Sequence, residues 1–452
     1  MKERVLSKWL ASAAMVATAL VGCNSGSQNT SQSTDGEGIC PDCQMCNNEF
    51  GGPEGGCHKG PKGSKGADFR ECPQGREGHG PKGCMEGCSH EEGTCRCPKH
   101  QRRYLGGDIS LLPSYLEQGT KFRDIEGQEV DFMEFCKANG WNSMRVRLFV
   151  DPSKASEQSK GEGVVQDIAY VTKLAQDIKK AGMSFMLDFH YSDTWADPGH
   201  QNIPAGWTDH SVEALTDSVY AHTVASLKQL VEAGVAPDLI QVGNEITNGT
   251  LWPTCKINHD DKDNWDALCS VLKAGAKACR EVCPEARLIL HTEKAGDWEI
   301  TKRFYEEMKI HDVDYDIVGL SYYPMWHRNM GVLAATLDSL AQMEPQREVM
   351  IVETAAYYSH DNDRWSKPDT YQEFYPISPA GQRMFTRELM AELRRHPNVT
   401  GVYWWFPEEN GSGKAVTDGW LNRGLFDNHT GNAMPAFYDF TWGKKPCPKR
   451  RP

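Results

Sequence analysis

The sequence predicts an α/β fold, a (β/α)8 TIM barrel, for the larger C-terminal part of this 452-residue chain. Three observations carry that expectation. Apolar strand-like runs alternate with helical patterns from about Tyr104 to about Trp442, the order expected of a parallel sheet wrapped in helices. Polar and aromatic residues gather at the carboxyl end of these runs, where a barrel carries its site. No glycine-rich phosphate turn follows the first run, which argues against a doubly wound open sheet.

Taken in chain order, residues 1–22 read as a signal segment. Lys2, Arg4 and Lys8 precede the apolar stretch Leu10–Val21, which is too short to span a bilayer comfortably. It closes with Leu20-Val21-Gly22-Cys23. This resembles the lipobox of bacterial lipoproteins, which implies cleavage before Cys23 and lipidation of that cysteine. Asn24, rather than aspartate, follows it, and the resemblance then implies the outer membrane, with the surface and periplasmic faces both open. Residues 24–36 are a polar tether.

Residues 23–103 as a whole are tether and Cys/Gly/Pro-rich segment. Nine of the 16 cysteines crowd into residues 37–100, at 40, 43, 46, 57, 72, 84, 88, 95 and 97. With so few aliphatic residues the segment builds no apolar core and is disordered or stapled. Disulfides or mixed thiols are preferred to a zinc site, because the spacing matches no zinc module.

Residues 104–443 are the expected barrel, followed by a basic tail at 444–452. The strand-like runs are Tyr104–Ile109, Ser143–Val150, Ser184–Phe189, Leu239–Val242, Arg287–His291, Asp316–Ser321, Glu348–Val352 and Gly401–Trp405. Helical patterns lie near Val130–Asn139, Asp167–Ala181, Val212–Ala233, Trp265–Val282, Trp298–Met308, Val332–Gln342 and Gly381–Arg395. The formal net charge is −13, from 49 basic and 62 acidic residues, with no basic stripe; nucleic acid is not an expected partner. A monomer is expected.

Two run ends carry carboxylates. Pro237–Ile246, P-D-L-I-Q-V-G-N-E-I, ends in Asn244-Glu245, and Glu348–Thr354, E-V-M-I-V-E-T, carries Glu353. Two glutamates facing each other across a barrel mouth suit cleavage of an acetal, where one carboxyl protonates the leaving oxygen and the other attacks or activates water. A neighbouring carboxylate raises the pKa of the acid, and an arginine keeps its partner ionised. Arg145 and Arg147 share a side by period two. A lone strand-end glutamate is ordinarily a solvated turn; two on separate strand ends change that reading.

The barrel portion resembles glycoside hydrolase family 53, the endo-β-1,4-galactanases. The resemblance rests on G-G-D-I-S at 106–110, R-V-R-L-F-V-D-P at 145–152, L-D-F-H-Y-S-D-T-W-A-D-P-G at 187–199, P-D-L-I-Q-V-G-N-E-I at 237–246, L-W-P at 251–253, Y-D-I-V-G-L-S-Y-Y-P at 315–324, V-E-T at 352–354, L-F-D at 425–427 and G-N-A at 431–433. It implies a retaining endo-acting hydrolase of galactan, with Glu245 as acid/base and Glu353 as nucleophile. Asn244 would meet the sugar 2-hydroxyl. Arg145, His190 and Tyr322 would line the cleavage subsite, Trp405 would form its aromatic floor, and Asp108 and Asp193 would line the site. Tyr191, Trp195 and Trp207 are candidates for rim packing, with a role at the site equally open for Trp195 and Trp207. Phe406 departs from the acidic residue that often follows the last tryptophan. No cofactor is required. Calcium, seen in some relatives, finds only Asp418 and Asp427 as candidates, and surface turns explain these better. The alternatives are a related β-glycanase acting on mannan or glucan, and a non-catalytic glycan-binding lipoprotein.

Overall fold

The computed structural model describes residues 103–259, 264–361 and 374–443, and the backbone of two short strands, Ser89–Glu91 and Thr94–Arg96. The leader, Cys23, the tether, most of the cysteine-rich segment and the tail lie outside the described residues. The chain divides into two compact units, Met1–Arg96 and Cys97–Pro452. In the first, the two short strands pair antiparallel, His90 opposite Cys95. They add one regular element to a segment expected to be largely irregular.

In the second unit eight strands form the barrel: β1 (Tyr104–Asp108), β2 (Ser143–Leu148), β3 (Ser184–Phe189), β4 (Leu239–Val242), β5 (Arg287–Thr292), β6 (Ile317–Tyr322), β7 (Glu348–Thr354) and β8 (Val399–Trp405). Each pairs parallel with the next, and β8 pairs with β1 to close the barrel, Trp405 opposite Asp108. Between them run α1 (Phe132–Ala138), α2 (Ile168–Lys180), α3 (Val212–Glu232), α4 (Trp265–Val282), α5 (Trp298–Ile310), α6 (Met330–Met343) and α7 (Pro379–Arg395), with a short α8 (Pro435–Asp439) after β8. The strand runs are nearly continuous in apolar residues because both faces are covered. All six residues of β3 are buried, for example.

Each helix follows from local signals. In α2, Asp167 caps the start by accepting from the Tyr170 amide at 2.8 Å. Val171, Leu174, Ala175 and Ile178 are buried at helical spacing, and Lys179 and Lys180 close the last turn. The cap is worth about 1 kcal/mol, and each large buried apolar side chain about 1.5–3 kcal/mol. Tertiary packing therefore outweighs the cap. Among the described residues, no helix is long and apolar enough to cross a membrane.

Inward-facing residues stack in layers. Tyr104, Met186, Leu239, Ile289, Ile317, Met350, Val352 and Tyr403 form a dry lower layer, with the Tyr403 and Ser143 hydroxyls bonded at 2.8 Å. β1 and β2 approach so closely at Gly106 that a Cβ there would lie 1.7 Å from the Ser143 carbonyl oxygen. Above the apolar layer, the inward positions turn polar.

Candidate active site

Period two aims alternate strand residues into the barrel. On β2 these are Arg145 and Arg147, on β3 Asp188 and then His190, on β4 Gln241, on β5 His291 and then Glu293, and on β6 Ser321 and then Tyr323. Strand β7 breaks the alternation. Opposite β6, Leu320 pairs with Ile351 but Ser321 pairs with Glu353, so β7 carries an extra residue. This bulge turns both Val352 and Glu353 inward, the re-aiming effect typical of bulges beside active sites.

Glu245 reaches the same mouth by a turn. β4 ends at Val242, Gly243 takes φ +86°, and Glu245 takes the left-handed φ 49°, ψ 51°. Such strain in a non-glycine residue costs on the order of 1–3 kcal/mol and persists where the surroundings fix it. Here the following turn is pinned to β5, since Thr247 Oγ1 donates to Glu293 Oε2 at 2.7 Å.

Arg145 is the hub. It is 1 % exposed and bonds Asp108 at 2.6 Å, Asp188 at 2.8 Å, Glu353 Oε1 at 2.9 Å and Asn244 Oδ1 at 2.8 Å. Burial works against its charge, but Asp188, Glu353 and Asp108 together hold it above the ordinary arginine value. Asp188 is held below the usual carboxylate range, because Arg145 and His190 outweigh the effect of burial. His190 Nδ1 accepts from the Ala196 amide at 3.1 Å, so Nε2 carries the proton toward Asp188, 3.1 Å away.

The two glutamates sit in different surroundings. Glu353 has Arg145 on one oxygen and the Tyr323 hydroxyl on the other, at 2.9 Å. Burial, opposed by Arg145, pushes its carboxyl up to about 7. Glu245 is held well above the ordinary range by burial and then by the charges of Glu353 and Glu293. The Ser321 hydroxyl, donating at 2.7 Å, pulls it back. Ser321 in turn lies 2.8 Å from His291 Nε2, and burial keeps His291 neutral. Of the pair, Glu353 is therefore the one that ionises first, and Glu245 the one that keeps its proton.

Both glutamates open into a cleft of about 760 Å³, which Arg145, His190, Asn244 and Trp405 also line. Asn244 Nδ2 donates to the Ala196 carbonyl at 2.8 Å, which fixes the amide. Trp195 lies 6.3 Å from Trp405 and beneath the Arg147 guanidinium, while Trp207 packs against His222 outside the cleft. Tyr191 is also packing, stacked on Phe189 at 5.2 Å.

Three sequence expectations need correction. Tyr322 points out of the barrel, its hydroxyl on the Arg328 carbonyl and its ring stacked on Phe385; the residue at the site is Tyr323, one step on in the alternation. Asp193 does not line the cleft. Its oxygens accept from the Asp151 and Ala205 amides at 3.0 and 2.7 Å and tie two loops together. Asp108 is fully buried behind Arg145, also bonding Ser110 Oγ at 2.6 Å and Arg147 at 3.3 Å, and supports the site instead of facing the cleft.

Asp188, Gln241, His291, Glu293 and Tyr323 were not among the expected site residues, though their parity with Arg145, His190 and Ser321 was readable. Asp427 Oδ1 is taken by a turn, accepting from the His429 and Thr430 amides. Among the described residues, no group of three or more His, Cys, Asp or Glu side chains is arranged to hold a metal ion.

Comparison with known proteins agrees with this geometry. The sequence profile described as glycosyl hydrolase family 53 matches residues 104–440. A probable arabinogalactan endo-β-1,4-galactanase A of Neosartorya fischeri is 33 % identical over 313 residues, 67 % of this chain and 83 % of that protein. Among solved structures, the family 53 catalytic domain of Ignisphaera aggregans is 30 % identical with a TM-score of 0.68, covering 76 % of this chain and 97 % of that one. A fungal β-1,4-galactanase is 28 % identical with a TM-score of 0.63, covering 75 % and 98 %.

Proposed function

We propose a mechanism from the premise that this chain belongs to glycosyl hydrolase family 53. It is a glycosidase, an arabinogalactan endo-β-1,4-galactanase, that hydrolyses β-1,4-galactan within the chain. In the mechanism we infer, Glu353 is the nucleophile and Glu245 the acid/base. A carboxylate oxygen of Glu353 attacks the anomeric carbon as the bond to the leaving oxygen breaks, and Glu245 gives that oxygen its proton. Water then enters from the vacated side. Glu245 takes a proton from it, its oxygen bonds the anomeric carbon, and Glu353 departs as carboxylate. One water is added, and two displacements return the β configuration.

The observation that carries this assignment is the unequal bonding of the two carboxyls. Arg145 and Tyr323 both stabilise the charged form of Glu353, whereas Glu245 has one hydroxyl donor and three acidic neighbours, Glu353, Glu293 and Asp197. Asn244, fixed by Arg145 and Ala196, is suited to the sugar 2-hydroxyl, and Trp405 to the apolar face of the ring. The test is Glu245→Ala and Glu353→Ala on purified galactan. Each should lose at least about a hundredfold in kcat/KM, since general acid–base catalysis alone supplies about 10²–10⁴. Unchanged cleavage by either variant would refute the mechanism. Activity on mannan or cellulose with none on galactan would refute the substrate.

We also propose that Cys23 carries a lipid anchor and that the enzyme works at the outer membrane. The Leu20-Val21-Gly22-Cys23 sequence and the polar tether behind it support this, and multiple acyl chains would make the anchorage stable. Metabolic labelling with a fatty acid tests it: wild type should take up label and enter the membrane fraction, and Cys23→Ser should do neither.

A further inference from the structure

Arg423 stands in the turn that follows β8, on the arm of the cleft beyond Trp405, and it is 1 % exposed. Its guanidinium carbon lies 4.7 Å from the Trp405 ring centroid, 5.2 Å from Trp420, 5.6 Å from Tyr357 and 5.8 Å from Trp326. Among the described residues, its buried Nε and Nη2 meet no hydrogen-bond acceptor, and no ion pair joins it to a carboxylate. Glu353 is held by Arg145 and Tyr323, and Glu409 Oε2 accepts from the Gly424 amide at 3.3 Å.

The backbone that presents this side chain is fixed. The Arg423 carbonyl accepts from Trp404 Nε1 at 2.8 Å, and the Asn422 carbonyl accepts from the Tyr358 amide at 3.0 Å. At Gly424 a Cβ would lie 2.6 Å from the Glu409 carbonyl oxygen. The aromatic faces offset part of the desolvation of the cation. They do not replace the acceptors its N–H groups lack, and a buried charge without hydrogen bonds is costly.

We propose that Arg423, framed by Trp420 and Trp326, forms a subsite for the carboxylate of an acidic sugar, a hexuronosyl unit borne on the galactan chain. A neutral amide in this place would serve sugar hydroxyls. A guanidinium offers a carboxylate two parallel N–H donors together with a full charge, while the aromatic rings pack the sugar body. The subsite lies on the Glu353 and Trp405 side of the cleft, so the acidic unit belongs to the part of the chain that is transferred to Glu353. This inference rests on the roles given above to Glu245 and Glu353.

The test uses the full chain carrying Glu245→Gln, so that ligands stay intact. Calorimetric titration compares β-1,4-galactobiose, -triose and -tetraose with the same oligosaccharides oxidised at C6 of the non-reducing end to the uronate. The series places the carboxylate at successive distances from the cleavage point. At one length the oxidised ligand should bind at least about tenfold more tightly than the neutral one. Adding Arg423→Gln should bring that ratio to about twofold or less, and Arg423→Lys should keep part of it, with thermal melting used to verify that each variant is folded. Equal binding of neutral and oxidised ligands at every length, or a preference that survives Arg423→Gln, would overturn the proposal and leave Arg423 to sugar hydroxyls. If the unmodified chain fails to cleave galactan while the carboxylate preference remains, the galactanase mechanism fails and this subsite stands.

Discussion

Tyr323 donates its phenolic hydroxyl to Glu353 Oε2 at 2.9 Å, while Tyr322, its chain neighbour, faces the helices and bonds the Arg328 carbonyl. The pair separates a role at the site from a role in packing. Tyr323→Phe removes a donor that favours the charged carboxylate. The Glu353 pKa rises, and the acid limb of kcat/KM moves to higher pH. A hydrogen bond to a charged group contributes roughly 1.5–3 kcal/mol, so kcat/KM should fall about tenfold to a hundredfold. Tyr322→Phe should cost about 1 kcal/mol in stability and shift neither limb. pH–rate profiles and melting curves of both variants check this.

The alkaline limb reports Glu245, and two neighbours act on it with opposite signs. Ser321 stabilises the carboxylate, so Ser321→Ala should raise the Glu245 pKa and move that limb to higher pH. Glu293 opposes the charge, and Glu293→Gln should move it to lower pH. Because the carboxyls are coupled, the limbs belong to the pair as a whole. The direction of each shift is nonetheless fixed by the side chain removed, and kcat/KM profiles on galactan measure it.

Asp188 holds both Arg145 and His190. Asp188→Ala leaves a buried guanidinium short of a partner, a change that costs about 3–5 kcal/mol. The melting temperature should fall clearly, and galactan cleavage should drop as Arg145 and His190 lose their anchor. Asp193→Ala, by contrast, should loosen the loops at Asp151 and Ala205 with a much smaller effect on kcat. Calorimetric unfolding and steady-state kinetics of the two variants make the comparison.

Gly106 has no room for a side chain against the Ser143 carbonyl. Gly106→Ala forces the first two strands apart at the barrel seam, and the expected outcome is loss of soluble folded protein. Recovery of a variant with wild-type circular dichroism and melting would contradict the close approach.

Much of this fold was legible because each strand run is rich in apolar residues and each of α1 to α7 carries its own side-chain cap and buried face. Ser184–Phe189, Leu239–Val242 and Trp265–Val282 have the same bounds in sequence and structure. α8 was not legible, since five residues at Pro435–Asp439 are too few to show a helical period. Glu245, Glu353, Asn244, Arg145, His190 and Trp405 were named from sequence, and all line one cleft. The choice of Tyr322 over Tyr323 ignored an alternation that Ser321 could have set. The bulge opposite Ser321 is different: it depends on how β7 registers against β6, which no local pattern records. Asp193 was expected at the site from the family resemblance, but its place depends on which loop amides fold onto it.

The central claim is that Glu353 bears the sugar between two displacements. The most direct measurement treats the enzyme with a galactoside carrying fluorine at C2 and an activated leaving group, then maps the labelled peptide by mass spectrometry. One galactosyl adduct is expected, on Glu353, with inactivation prevented by galactan. An adduct on Glu245 or on any other residue, or a first-formed product of galactan with inverted α configuration, would contradict it.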